Sequence, residues 1–92
     1  MYERVKDFYA AIAGDGRIGV SHISLYVALV LRSGGDASFV ITRGDLMHLS
    51  KIKSRQTYNR CMNELKEYGY IRYTPSSDPF SGSVVEILNL TK

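Results

Sequence analysis

Four side chains in the second half of the chain, Gln56, Asn59, Arg60 and Asn63, recur at i, i+3, i+4 and i+7. On a helix that spacing puts them on one face. A plain solvated face carries mostly Glu and Lys. This one carries side chains with paired donors and acceptors, the groups that match base edges in a DNA major groove: an amide against adenine, a guanidinium fork against guanine. Asn and Gln gain nothing over Lys and Glu as helix formers, so propensity does not account for them. The chemistry implied is hydrogen-bonded reading of bases. The competing reading is an ordinary polar surface.

Charge supports the first reading. The 92 residues carry a formal net charge of +3, which alone says little. Its distribution says more, because residues 43–72 hold seven Lys/Arg against three Asp/Glu, while residues 1–42 hold four of each. The excess cations therefore sit around the polar face, where neutralisation of phosphates would use them.

Other chemistries find no support. His22 and His48 are the two histidines, and neither has the i, i+4 partner or neighbouring Cys of a metal site. No nucleophile motif, no Gly-rich phosphate loop followed by Lys and no close carboxylate pair is visible. The expectation is a protein without catalytic residues, metal or cofactor, and with no small-molecule substrate. The single cysteine, Cys61, falls on an apolar stripe and reads as a core residue. The longest apolar run, Leu25 to Leu31, is far too short for a membrane span. The first residues lack the apolar stretch of a signal peptide, which points to the cytoplasm.

The elements that position these residues follow from the pattern. Ninety-two residues, 45% of them hydrophobic, suffice for one small domain and leave no room for two cores. A first helix, within residues 1–16, runs from Tyr2 to about Ala13, with Val5, Phe8, Tyr9 and Ile12 on one side; Gly14 to Gly16 end it. Ser21 is expected to cap a second helix from His22 to about Ser33, stopped by Gly34 and Gly35. That helix is apolar around most of its circumference, through Ile23, Leu25, Tyr26, Val27, Leu29, Val30 and Leu31, so it should lie at the centre. The first helix or a second subunit would cover its remaining side.

A short strand follows at residues 38–41. Thr42 caps a third helix, with Asp45 completing a T-x-x-D capping box, and Leu46, Met47 and Leu49 give its apolar side. Lys51, Ile52 and Lys53 form a turn. Ser54 caps a fourth helix that stops at Gly69, where positive φ is favoured. Its apolar stripe is Tyr58, Cys61, Met62 and Leu65. A strand from Tyr70 to Thr74, a loop from Pro75 to Gly82 and a strand from Ser83 to Leu90 complete the order α-α-β-α-α-β-β. The last strand alternates imperfectly, as a bulge or burial on both faces would explain.

From about Ser21 to Leu90 this order resembles a winged helix-turn-helix domain. Leu65, Gly69, Tyr70 and Ile71 carry its L-x-x-x-G-[YL]-I pattern. His22 to Tyr26 and the S-x-x-T-Y cap of Ser54, Thr57 and Tyr58 are similar to small winged-helix proteins of bacterial mobile elements and to the N-terminal domains of phage replisome organisers. The resemblance implies an α+β fold, with a helical core, a small antiparallel sheet, a helix-turn-helix over residues 42–69 and a C-terminal hairpin wing over 70–90. It implies double-stranded DNA as partner, in transcriptional regulation or as an accessory factor of a mobile element.

In that geometry Gln56, Asn59 and Arg60 read bases, with Asn63 further along the helix. Arg55 touches a phosphate or a base. Thr42, Arg43, Lys51, Lys53 and Ser54 touch phosphates, because helix N-termini and turn amides face the backbone. The loop departs from many DNA-reading wings: PSSDPFSG has no Lys or Arg and contains Asp78. The wing is therefore expected to contribute less than the helix. A homodimer is expected, since one small domain covers little DNA. The alternative function is a winged helix that binds protein, as a replisome or assembly adaptor, which would place an apolar patch where the Gln/Asn/Arg face lies.

Overall fold

The computed structural model describes residues 2–75 and 82–90. Four helices, α1 (Tyr2–Ile12), α2 (Val20–Ser33), α3 (Arg43–Ser50) and α4 (Arg55–Glu67), combine with strands β1 (Ser38–Ile41), β2 (Ile71–Thr74) and β3 (Ser83–Ile87). The fold is α+β, with a three-stranded antiparallel sheet in the order β1-β3-β2. Ser38 pairs with Glu86 and Ile41 with Ser83 on one side of β3. Ile71 pairs with Ile87 and Thr74 with Val84 on the other.

Helix α2 is the centre, packed against α1, α3, α4 and β1. Leu25, Tyr26, Ala28, Leu29 and Val30 are buried. Helix α1 closes one flank by stacking Phe8 on Tyr26, with ring centroids 3.8 Å apart and planes nearly parallel. Phe8 also meets the edge of Tyr70 at 5.3 Å. That edge-to-face geometry is one of the favoured aromatic arrangements and adds about 0.5–1.5 kcal/mol beyond the area it buries. Val5 and Ile12 are half-buried beside Phe8, but Tyr9, expected on the same side, is half-exposed. The chain itself thus covers most of α2, although Leu31 stays at the surface.

Helix α2 starts two residues earlier than its Ser signal suggests. The N-cap is Gly19, not Ser21. The Gly19 N–H donates to Nδ1 of His22 at 3.0 Å, so an imidazole at the third helical position does what a Glu or Gln does in a capping box. At α3 only half of the expected box forms. Thr42 Oγ1 accepts from the Asp45 N–H, while the Asp45 carboxylate turns to Arg32, which donates to it twice, at 2.6 and 2.8 Å. The far end of α3 is held to α2 by the Ser24 hydroxyl, which donates to the Ser50 carbonyl.

The last strand is shorter than expected. It ends at Ile87 rather than Leu90, and this removes the irregular alternation: Val85 and Ile87 face the core and Val84 faces out. Neither a bulge nor two-sided burial is needed, because Leu88 and Leu90 lie beyond the strand. Strand β2 begins at Ile71, after Tyr70. The expected hairpin loop, including Asp78, lies outside the described residues over 76–81. No helix of the described residues is long and apolar enough to cross a membrane.

Candidate nucleic-acid interface

The buried side of α4 is Tyr58, Cys61, Met62 and Leu65, the stripe expected from its spacing. Gln56, Asn59, Arg60 and Asn63 are all exposed on the rest of the helix. They do not share one environment. Asn59 lies with Arg55 on the flank that faces the β2–β3 hairpin. Arg60 lies on the other flank, 3.6 Å from Glu64, whose carboxylate is held in turn by His22 of α2 and the Tyr68 hydroxyl. Among the described residues, Arg60 is therefore the one member of the four tied to a neighbouring charge, by a loose pair in which it remains largely exposed.

The expected phosphate-contacting residues divide into two groups. Thr42, Arg43, Lys53 and Arg55, together with Asn59, line a groove of about 730 Å³. Tyr73 and Gly82 of the hairpin line it from another side. Three cations and no acidic residue border it among the described residues. Asp45, in the first turn of α3, does not oppose an incoming anion freely, since Arg32 is paired with it. The N-terminus of α3 adds its partial positive charge to the same space.

Lys51 and Ser54 lie apart from this groove, in a second hollow that Lys53 shares and that Ser21, Ser24 and Thr57 complete. Ser54 Oγ accepts from the Thr57 N–H at 3.2 Å, so its oxygen already serves the helix cap. Lys51 ends α3 in the left-handed region, with φ 65°. It is the one non-glycine residue with positive φ among the described residues. A Gly would suit that backbone better; the structure holds a cation there.

Several residues of the groove were not legible as such, Tyr58 among them. Tyr58 was assigned to the core by its spacing, and it is 2% exposed, yet it also lines the groove. Burial pushes its hydroxyl pKa well above the usual tyrosine value, with Arg43 nearby acting in the opposite direction. Cys61 is fully buried, and burial raises its thiol pKa. Among the described residues, no group of three His, Cys, Asp or Glu side chains is placed to hold a metal ion. Comparisons with known proteins bring no match to a family model, a curated protein or a solved structure.

Proposed function

We propose that the chain is a winged-helix domain that binds double-stranded DNA in a sequence-specific manner, with α4 as the helix that enters the major groove. The observation that carries this reading is the cationic groove of Arg43, Lys53 and Arg55 beside the exposed Gln56, Asn59, Arg60 and Asn63 face. Phosphate contacts set position and base contacts set sequence, and the two kinds of side chain lie side by side on α3, the turn and α4. The setting implied by the resemblance is regulation or an accessory role in a bacterial mobile element. The exposed face of α4 is polar, and the large apolar side chains left most exposed among the described residues, Val20 and Tyr2, belong to other elements; this favours DNA over an adaptor role at this face.

The test is a salt titration on random and selected duplexes. Roughly four to six neutralised phosphates per subunit, each contributing about −0.9 to the log–log slope, are expected. A slope near zero would overturn the DNA reading. On a selected site, Arg60→Ala and Asn59→Ala should each relax preference at one base pair by about 1–3 kcal/mol. Wild-type specificity in both variants would move base reading away from α4.

A further inference from the structure

Tyr58 joins the core to the groove. It belongs to the hydrophobic core with Cys61, Met62 and Leu65 of the buried side of α4, and only 2% of the residue is exposed. Its hydroxyl makes no hydrogen bond to any described residue. Among those residues, every completely buried side-chain nitrogen or oxygen has a hydrogen-bond partner. The Tyr58 hydroxyl is thus not sealed in the core: it is the part of a buried side chain that reaches the groove, which Tyr58 lines together with Arg43, Lys53 and Arg55. Water can satisfy a hydroxyl that opens onto a groove, and a ligand oxygen that replaces this water keeps the hydrogen bond.

We propose that this groove is a seat for a phosphate group, in which the Tyr58 hydroxyl donates a hydrogen bond to a phosphate oxygen while Arg43, Lys53 and Arg55 supply the charge. The occupant is a phosphodiester of a DNA backbone, so the inference rests on the DNA-binding reading and specifies how the duplex is held. Several features make the seat an anion site. The N-terminus of α3, capped by Thr42, opens onto it, and aligned helix amides favour negative charge there. Arg43 makes no ion pair among the described residues, and Asp45, two residues on, is paired with Arg32. Burial keeps Tyr58 protonated far above neutral pH, so it stands as a donor. Its hydroxyl sits on a side chain fixed by packing, which gives the seat a fixed point that long surface cations lack.

Tyr58→Phe removes the hydroxyl alone, and because that oxygen bonds to no described residue, the variant should keep its melting temperature. The experiment measures duplex affinity of wild type, Tyr58→Phe and Arg43→Ala over a range of salt, with melting curves for each. Tyr58→Phe should weaken binding to every duplex alike, by roughly tenfold, as for a hydrogen bond to a charged group, and leave the salt slope unchanged. Arg43→Ala should weaken binding and lower the slope by about one unit. Tyr58→Phe that matches wild type on a duplex, while folded, overturns the seat and leaves the DNA reading standing. Wild type that ignores duplexes at low salt overturns the DNA reading itself. A parallel titration with inorganic phosphate, followed by amide shifts of Arg43 and Gly44, separates the two sources: saturation by phosphate alone, undisplaced by duplex, would assign the groove to a small phosphorylated ligand and overturn the proposed occupant.

Discussion

Nε2 of His22, on α2, lies 2.9 Å from Oε1 of Glu64, on α4. The other ring nitrogen, Nδ1, accepts from the Gly19 N–H, so the proton of the neutral ring belongs on Nε2 and is donated to Glu64. One nearly buried imidazole thus caps α2 and ties it to the helix that carries the polar face. His22→Ala removes two hydrogen bonds, each worth about 0.5–1.5 kcal/mol net, and should cost about 1–3 kcal/mol in all. Urea unfolding checks this; a loss below about 0.5 kcal/mol would show that water replaces the ring without penalty.

Stability should fall at both ends of the pH scale. The Asp15 carboxyl is held well below the usual range by hydrogen bonds from Arg17 and then Tyr70, and Glu64 is lowered chiefly by its hydrogen bond with His22. Groups depressed in the folded chain contribute stability above their unfolded pKa and lose it as pH falls through the folded value. The acid loss should therefore begin below about pH 4.5, the ordinary value for Glu64, and continue through lower pH as Asp15 protonates. Tyr26 and Tyr70 behave in the opposite sense, each pushed up by burial from 10.0 to about 12. Their contribution is complete below pH 10 and declines between 10 and about 12, where only the unfolded chain has released its protons. Melting temperatures across the range test both windows; a flat profile between pH 10 and 12 would contradict the buried hydroxyls.

Lys51 offers a separation of stability from binding. Its backbone sits at φ 65°, a conformation that costs an L-residue about 1–2 kcal/mol relative to Gly. Lys51→Gly should keep or raise stability by up to about 1 kcal/mol. The same change should weaken duplex binding at all sequences and reduce the salt slope by roughly one unit. Calorimetry and one salt titration suffice. Lower stability with unchanged binding would mean that the lysine stem packs rather than binds.

The assembly prediction follows from α1. Because Phe8 and its half-buried neighbours cover α2 within the chain, no second copy is required to close the core. Sedimentation of the free protein at micromolar concentration should give a monomer, with two copies joining on a two-fold DNA site, where half-site spacing sets the pairing. A stable dimer without DNA would point to another face, and the outward Val40 and Val84, paired across β1 and β3, are the side chains to substitute first.

What the sequence made legible was local. Thr42, Ser54 and Gly69 mark helix ends because one side chain, or the lack of one, decides the backbone there. The Tyr58, Cys61, Met62 and Leu65 stripe was readable because burial follows the helical period. Gly19 was missed as a cap because its partner is His22, a residue with no capping signature. The end of β3 was missed because the apolar run continues to Leu90, which packs against the core beyond the strand. The groove had no signature in one dimension, since Arg43, Arg55 and Gly82 meet only when α3, α4 and the hairpin are assembled. The helical period marked Tyr58 as core, and nothing in the sequence marked it as lining the groove.

The strand order has a consequence for how the chain acquires its structure. Strand β3 comes last among the described elements and lies in the middle of the sheet, so β1 and β2 have no ladder with each other. Each of them waits for residues 83–87 before its backbone groups are paired within the sheet. Helices α1 to α4 can form from near neighbours, but the sheet needs contacts such as Ser38 with Glu86, which close long loops and form slowly. During synthesis, the groove beside the hairpin would be the last feature to appear, and a chain stopped before Ser83 would leave two unpaired strand edges in place of a sheet.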